Sequence, residues 1–389
     1  MYALLFADSG LNTGEISSLF VLWSVTVFVL EVPSGAWADA FSRRRMLALS
    51  GLLRGVGFAL WVAWPSYQAF AAGFVLWGVS GAMQSGTEAA LVYDELAAVR
   101  GTDRYVAIVG RGGAVALVAV MVATGLAAPA LALGGYGLVG AASVAVCLAY
   151  AGVALSFPET PRVRAAVGGG ADGLRRYAAS LRAGLTEARA TPVVRRAVLL
   201  AAVVPGLTAL DEYLPLLARE MGASTVAVPL LLLLPAGAMA VAGALAGRYA
   251  AAPARWVAAA LAAAAVLLMG GALAGHPVGM IAVAASFGLL QTALVLTEAR
   301  LQEVISGPAR ATVLSTAGFG AEVAAVAIYV AVGAGAEGGL PVASLVALTG
   351  VPIVLVSLAA ARWLPAPREF TETTEKPGTV RAREAPERG

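Results

Sequence analysis

The sequence predicts an all-α polytopic membrane protein. Hydrophobic residues make up 60% of its 389 positions and charged residues only 13%, and the mean hydropathy is +0.83. A soluble surface would need about twice that share of charge. The 45 glycines suit close packing of helices in lipid, where small residues let backbones approach. The composition therefore excludes a pair of soluble domains and favours helices that cross a bilayer.

Apolar runs of about the length that crosses a bilayer, roughly 20 residues, follow one another along the chain. Polar or glycine-rich turns, such as residues 134–137, separate them. We expect eleven full spans, preceded by an apolar stub at residues 1–6 that is too short to cross. The expected spans are residues 16–38, 46–64, 70–93, 106–133, 138–157, 197–217, 226–249, 256–274, 278–301, 311–332 and 340–364.

The spans fall into two groups on either side of one long basic segment. We expect an N-terminal transmembrane bundle at residues 1–161, a cytoplasmic central loop at 162–196, a C-terminal bundle at 197–364 and a disordered cytoplasmic tail at 365–389. The central loop holds eight arginines against two acidic residues. Its second part is either an amphipathic helix on the membrane surface or a plain basic linker.

Arginines predict the orientation of the chain. They collect in alternate loops and near the C-terminal end, whereas the intervening turns hold only Arg219. Because short cytoplasmic loops carry an excess of basic residues, the arginine-bearing side is expected to face the cytoplasm. We therefore predict a multi-pass protein of the plasma membrane with its C-terminus inside. The arginine clusters are at residues 43–45, 100–111, 162–196, 248–255, 300–310 and 362–368.

The turn after the first full span carries a spaced motif. Gly35 and Asp39 are four positions apart, and three consecutive arginines begin at Arg43. This spacing resembles the loop between helices 2 and 3 of the major facilitator superfamily of transporters, although Ala40 and Ser42 depart from its fullest form. Residues 88–94 and 157–160 also resemble the drug-efflux type of that family, and residues 243–248 give a weak echo of the motif in the second half.

The resemblance implies two six-helix bundles that rock about a substrate site near the membrane midplane. It also indicates how much of the first helix the stub lacks. In the second half, Gly243 lies 46 residues after the start of the first span at Ala197, whereas in the first half Gly35 lies only 34 residues after Met1. We expect that the native protein has twelve helices and that this sequence starts inside helix 1, which is largely missing.

A gating motif is expected at the cytoplasmic side. It consists of Gly35, Asp39, Arg43, Arg44 and Asp94. Asp94 ends the span at residues 70–93 on the cytoplasmic side, where Arg43 and Arg44 precede the span at 46–64. An ion pair between Asp94 and one of these arginines is therefore predicted. Asp39 is expected to cap the helix that begins near residue 311, where the helix dipole favours an anion.

Carboxylates inside apolar spans are candidates for proton coupling or substrate binding, because each costs about 2.5–3.5 kcal/mol to insert. For Glu31 the alternative is a structural pair with Arg54, and for Glu88 it is a contact with Arg111. Burial of Glu88 is expected to desolvate its carboxyl group. The candidates are Glu31, Glu88, Asp211, Glu212 and Glu322.

Asp211 and Glu212 are expected toward the external end of their span, where the alternative is an interfacial pair. Glu322 is the deepest charge of its own span. Aromatic and polar residues in the spans are a further candidate lining for a substrate cavity, or else pack or face lipid. They are Trp23, Phe28, Trp77, Phe287 and Gln291; Trp61, Trp64, Trp256 and Trp363 are expected to be interfacial anchors.

The predicted function is secondary active transport, with proton-coupled efflux of small amphipathic molecules or drugs as the leading interpretation. An uptake permease for a metabolite is the alternative within transport, and a non-transporting sensor or inactive truncated product is the alternative outside it. The single His276 and the single Cys147 argue against an enzyme and a metal site. We expect no cofactor besides the proton gradient, a small-molecule substrate, the lipid bilayer as partner, no nucleic acid, and a monomer.

Overall fold

The computed structural model describes residues 1–85, 87–159, 191–304 and 310–365, together with positions 179, 182 and 186. For residues 31–40 and 310–312 it describes the backbone alone. The described residues are helical apart from turns and short connections. The predicted central loop and the tail lie almost wholly outside them, as do the side chains of Glu31 and Asp39 and the surroundings of Gly35.

The first half begins with a short helix and contains one pair of fused helices. The apolar stub forms a helix of seven residues that packs against the next helix. The last helix of this half is bent at Gly134 and Gly135, which leave the helical region, and Gly135 has a φ of 57° that favours glycine. The helices are α1 (Tyr2–Asp8), α2 (Thr13–Ala40), α3 (Arg43–Ala63), α4 (Tyr67–Gln84), α5 (Thr87–Ala98) and α6 (Tyr105–Ser156).

The second half is likewise helical, with two of its spans divided. A 3₁₀ turn at Thr208–Tyr213 separates the first two helices, and Thr349 separates the last two. The helices are α7 (Pro192–Leu207), α8 (Leu214–Glu220), α9 (Val228–Leu245), α10 (Ala254–Ala272), α11 (Gly279–Val304), α12 (Arg310–Glu337), α13 (Val342–Leu348) and α14 (Gly350–Trp363).

Nine helical segments among the described residues are long and apolar enough to cross a membrane. One of them, Thr102–Ser156, contains both arms of the bent α6. An all-helical membrane protein is therefore confirmed, and the turn predicted at 134–137 lies where α6 bends. The count of eleven spans plus a stub, and the division into two six-helix bundles, remain predictions.

Two expected spans are interrupted. The span predicted at 70–93 breaks at Ser85, whose ψ of 128° is extended, so α5 is a separate helix. The span predicted at 197–217 starts earlier, because Thr191 caps α7 and Pro192 occupies its first turn. The last residues assigned to the central loop are therefore helical, and the domain boundaries stay predictions. The same span then tightens into the 3₁₀ turn after Pro205, which has no N–H for an α-helical bond.

Small residues allow the close helix packing that the composition predicts. Gly271 of α10 and Gly279 of α11 face each other so closely that a Cβ on Gly271 would lie 2.7 Å from the carbonyl oxygen of Gly279. Between the halves, a Cβ on Gly333 of α12 would lie 3.1 Å from the Cβ of Ser17 in α2. Any larger residue at these positions would push the helices apart.

Aromatic rings fill the centre of the first half. Phe6 of α1 stands edge-on to Trp61 of α3, with ring centroids 5.2 Å apart, and both are buried. The indole Nε1 of Trp61 donates to the carbonyl oxygen of Phe70 at 3.1 Å. Trp61 is therefore a core residue, and its expected role as an interfacial anchor is wrong. Trp64 and Trp256, by contrast, are exposed at span ends.

Candidate functional site

A cavity of 330 Å³ lies where α2 of the first half meets α7, the 3₁₀ turn and α12 of the second half. Three of the carboxylates singled out in the sequence line this cavity: Asp211 and Glu212 from the turn and Glu322 from α12. Trp23 and Ser24 line it from the α2 side. The fold thus brings Glu322 close to two carboxylates that lie about 110 positions earlier in the chain.

The 3₁₀ turn explains how two consecutive carboxylates reach one space. Thr208 stabilises the start of the turn by donating from Oγ1 to the carbonyl oxygen of Pro205 at 2.6 Å. Asp211 is exposed to the cavity and Glu212 is half-buried. Asp211 and Glu212 are therefore cavity residues in a break of the helix. The alternative, an interfacial pair at the external helix end, does not fit this position. A role of these residues in proton coupling or substrate binding stays a prediction.

Glu212 is held by a residue of the other half. The hydroxyl of Tyr2 in α1 donates to Glu212 Oε2. Tyr2 is itself surrounded by aromatic rings, including Trp77 edge-on at 5.5 Å between centroids. A carboxylate buried among apolar groups needs such donors, because desolvation of an unpaired charge is costly. The stub helix therefore supplies a donor to the candidate site.

Tyrosine side chains form a wall beside the carboxylates. Tyr213 is fully buried, and its hydroxyl lies 2.8 Å from Ser17 Oγ of α2, within hydrogen-bonding distance. Its ring is 6.1 Å from that of Tyr329, which also lines the cavity. Phe20 contacts both rings from α2, at 5.5 Å and 5.4 Å. The wall is thus built from both halves.

Three tyrosines at or beside the site are not among the residues predicted from the sequence: Tyr2, Tyr213 and Tyr329. A hydroxyl inside an apolar run needs a polar partner when it is buried, so each tyrosine was a signal of a polar interior. Among the predicted aromatic lining residues, Trp23 lies at the cavity. Phe287 is fully buried in the second half and packs in its core, so its assignment to a cavity is wrong.

The cavity combines acidic groups with apolar walls. Its described lining contains the three carboxylates and no arginine, lysine or histidine. Ionised carboxylates in such surroundings are costly, so they gain by taking up a proton or a cation. The aromatic rings offer flat apolar surface and attract cations over their faces. The site is therefore suited to protons and to small molecules with both charged and apolar parts.

The end of the bundle that carries Ser42 and Arg43, here called the arginine end, has its own cluster of ion pairs. Arg43 Nη1 donates to Asp94 Oδ2, as the sequence predicts. Arg44 Nε lies 3.6 Å from Glu159 Oε2, and Glu159 also accepts from the Arg43 backbone N–H at 2.6 Å and from Ser42 Oγ. The side chain of Asp39 lies outside the described residues, so its predicted capping role stays a prediction.

Glu88 does not lie in the carboxylate cavity. It is in the first turn of α5, is exposed, and lines a separate opening of 630 Å³ beside the start of α6. It accepts from Gln84 Nε2 at 3.2 Å, and Gln84 in turn accepts from Arg54 Nη2 at 3.0 Å. The expected desolvation of Glu88 is therefore wrong, because the break at Ser85 turns it toward open space.

The opposite end, here called the stub end because α1 lies there, joins the two halves directly. Asp8 of α1 accepts from both Nη atoms of Arg219 in α8, the Nη2 contact being 3.0 Å. The Tyr136 hydroxyl donates to the same carboxylate at 2.6 Å. These two donors, Arg219 first, hold the pKa of Asp8 below its ordinary value. The stub end is thus closed by charged contacts.

No curated protein matches the chain by sequence. Solved structures that share the fold include a D-xylose–proton symporter, with 15% identity, a TM-score of 0.68, and coverage of 94% of this chain and 92% of that chain. An auto-inhibited peptide transporter of the POT family has 15% identity, a TM-score of 0.65, and coverage of 90% of this chain and 88% of that chain. The nucleoside transporter NupG has 13% identity, a TM-score of 0.68, and coverage of 94% of each chain. At these identities the likeness shows the fold alone.

The sequence itself matches a family model. Residues 1–301 fit the model described as Major Facilitator Superfamily, which is well over half of the chain. Family membership agrees with the all-helical fold, with the apolar segments long enough to span a membrane and with the spaced motif that begins at Gly35. The chain therefore belongs to the Major Facilitator Superfamily of membrane transporters.

Proposed function

We propose that the protein is a proton-coupled secondary transporter that exports small amphipathic molecules, with a preference for those that carry positive charge. The observation that carries this proposal is the cavity between the halves, where Asp211, Glu212 and Glu322 face one space beside Trp23 and Tyr329. Carboxylates can exchange a proton for a cation, and the rings match the apolar part of such a substrate. The chain has no need of a cofactor in this scheme.

The contacts between the halves support alternating access. Three described polar contacts cross between them at the stub end or between it and the cavity: Asp8–Arg219, Tyr2–Glu212 and Ser17–Tyr213. We take the stub end as external and the arginine end as cytoplasmic, from the arginine distribution. The structure then corresponds to a state closed toward the outside, and export requires these three contacts to break.

Glu212 links the cavity to this closure. Its carboxylate accepts the hydroxyl of Tyr2, so the same group both lines the site and joins the halves. A cation or a proton that binds at Glu212 competes with Tyr2 for the carboxylate oxygens. We infer that this competition loosens α1 from the 3₁₀ turn that precedes α8 and favours opening to the outside. The protein is proposed to work as a monomer in the plasma membrane, with its C-terminus inside.

The test is flux in proteoliposomes made with the full chain and an imposed pH gradient, with ethidium as the amphipathic cation and D-xylose as a neutral sugar. Glu322→Gln should bring gradient-driven ethidium flux down to background, because it removes a titratable group from the cavity. Glu88→Gln is the matched control and should keep most of the flux, because Glu88 lies in the other opening.

Three results would contradict the proposal. Ethidium flux that ignores the pH gradient would reject proton coupling. Equal losses in Glu322→Gln and Glu88→Gln would reject the cavity as the coupling site. Gradient-driven accumulation of D-xylose without ethidium flux would favour the uptake permease, the alternative that the likeness to a sugar–proton symporter supports at the level of fold.

A further inference from the structure

A groove of 470 Å³ runs along the outer surface of the first-half helices, at the arginine end. Its walls come from α3 and α4, and its floor is apolar, with Leu49, Leu53, Val79 and Met83 among its lining residues. Leu49 is 46% exposed, so this wall is open to the surroundings of the bundle. Arg45 and Ser42 stand at the end of the groove where α3 begins. The groove therefore joins a basic head region to an apolar channel.

The three consecutive arginines have different surroundings. Arg43 forms its ion pair with Asp94, and Arg44 lies beside Glu159. Arg45 is exposed and lines the groove, and the first turn of α3 contains no acidic residue that could neutralise it. The described ion pairs thus use the first two arginines to shape the loop. The third places its positive charge at the mouth of an apolar groove.

We propose that this groove binds an anionic phospholipid, with the phosphate at Arg45 and an acyl chain along Leu49, Leu53 and Val79. An arginine fork holds two phosphate oxygens at once, which a neutral apolar groove could not do. The position fits a lipid, because Arg45 lies at the level where a span ends and lipid headgroups begin. The positive charge of Arg45 favours an anionic headgroup, and the apolar floor of the groove favours a ligand that has an acyl chain.

The arrangement separates this lipid from the transported substrate. The groove is lined by the first half alone and lies on α3 and α4, whereas the carboxylate cavity lies between α2, α7 and α12. One site is basic and the other acidic, so a single ligand class does not suit both. The proposal therefore does not depend on the proposed function, and it can be tested without any measurement of transport.

The experiment is native mass spectrometry of the full chain in detergent after removal of bound lipid. Dioleoyl phosphatidylglycerol and dioleoyl phosphatidylcholine are added in turn, and the dissociation constant of the first bound lipid is measured for each. We expect tighter binding of phosphatidylglycerol. Arg45→Gln should weaken it about fivefold, the value of one basic residue near an anionic lipid, and should leave phosphatidylcholine unchanged.

Two further variants separate a site from general electrostatic attraction. Arg104→Gln is the matched control, because Arg104 is an exposed arginine outside the groove, and it should keep the preference for phosphatidylglycerol. Leu49→Trp keeps every charge but narrows the groove, and it should weaken phosphatidylglycerol binding. If Arg45→Gln does not fold, as judged by gel filtration, Leu49→Trp carries the test alone.

Three outcomes would overturn the proposal. The first is equal affinity of the unchanged protein for the two lipids. The second is an equal loss in Arg45→Gln and Arg104→Gln, or no effect of Leu49→Trp. The third concerns the source of the phosphate: if water-soluble glycerophosphoglycerol, which has the headgroup without chains, binds as tightly as the lipid, the site recognises a free anion and not a phospholipid.

Discussion

The two ends of the bundle use their charged side chains in different ways. At the stub end, Asp8 and Arg219 come from different halves and join them. At the arginine end, three described ion pairs each stay within one half: Arg43 with Asp94 and Arg44 with Glu159 in the first, and Arg300 with Glu303 in the second. Contacts of the first kind must break when the halves move apart, whereas contacts of the second kind can survive the movement.

This difference changes the interpretation of the gating motif. The sequence predicts that Arg43 and Asp94 belong to a gate, and the structure brings them together. Because both belong to the first half, their ion pair shapes the turn between α2 and α3 without itself closing a path. A gate at the arginine end then depends on Asp39 reaching across to the start of α12. The side chain of Asp39 lies outside the described residues, so this contact stays a prediction.

The second half has a counterpart to this turn, built with different chemistry. Arg300 of α11 is 2% exposed and donates from Nη2 to the carbonyl oxygens of Ala250 and Ala252, at 2.6 Å and 3.2 Å. These carbonyls belong to the turn that follows the echo of the motif. In the second half, a buried arginine therefore donates to backbone carbonyl oxygens. In the first half, Arg43 pairs instead with the side chain of Asp94, which is 42% exposed. We therefore expect the second-half contact to contribute more to stability than the first-half contact, because it is buried.

The largest effect is expected at Arg300. Arg300→Ala should lower the free energy of unfolding by about 3 kcal/mol, because two carbonyls lose a buried charged donor and a cavity is left behind. Denaturant unfolding in detergent measures this loss. Arg300→Lys is the control and should recover part of it, since an ammonium group can still donate to one carbonyl. Wild-type stability in Arg300→Ala would show that the turn does not depend on this contact.

An intermediate effect is expected at Asp94. Asp94→Ala should cost about 1 kcal/mol of stability, since the pair is partly exposed to solvent. Its functional effect should be a lower turnover with an unchanged KM for ethidium, because Asp94 lies at the arginine end and not in the cavity. Arg43→Ala should give the same result. A rise in KM without loss of turnover would place this pair at the substrate.

Sequence patterns predict the structure where a local property sets the outcome, and they fail where a helix is interrupted. Hydropathy predicts most of the span positions because it is a local feature. The alternation of the spans across the membrane then places Asp94 on the same side as Arg43, although the two are 51 positions apart. The predicted burial of Glu88 is wrong because the extended Ser85 ends α4 early. One residue in an extended conformation changes the direction of the chain after it, and so the side to which Glu88 points. Asp211 lies at a second interruption that hydropathy does not predict, the 3₁₀ turn that follows Pro205.

The convergence of Asp211, Glu212 and Glu322 could not be derived from the sequence. Each residue is identifiable by itself as a charge in an apolar run, which is a reliable sign of function. Their meeting depends on how α7 packs against α12, a contact between segments far apart in the chain. The hydroxyl of Tyr2 shows the same limit, because its partner Glu212 is 210 residues away.

The smallest effect is expected at the stub end, and it separates the two kinds of contact. Asp8→Asn should weaken the closed state by about 0.5 kcal/mol, the usual value of a partly exposed ion pair. The reporter is Ser24→Cys in a Cys147→Ala background, since Ser24 lines the cavity. A membrane-impermeant thiol reagent added outside should react about twofold faster with the Asp8→Asn variant. Asp94→Ala, which breaks a contact within one half, should leave this rate unchanged.

The pH dependence of the same reaction tests the origin of that effect. Arg219 and Tyr136 lower the pKa of Asp8 in the closed state, so their stabilisation is fully present above the ordinary aspartate pKa of about 3.9. It is lost as the pH falls through the lowered pKa. The Asp8-dependent difference in thiol reaction rate should therefore be constant between about pH 5 and pH 8, where the carboxylate stays ionised, and should shrink only below about pH 4. A difference that disappears near neutral pH would show that another group controls the stub end, and Glu212, which accepts from Tyr2 in the same interface, would be the residue to exchange next.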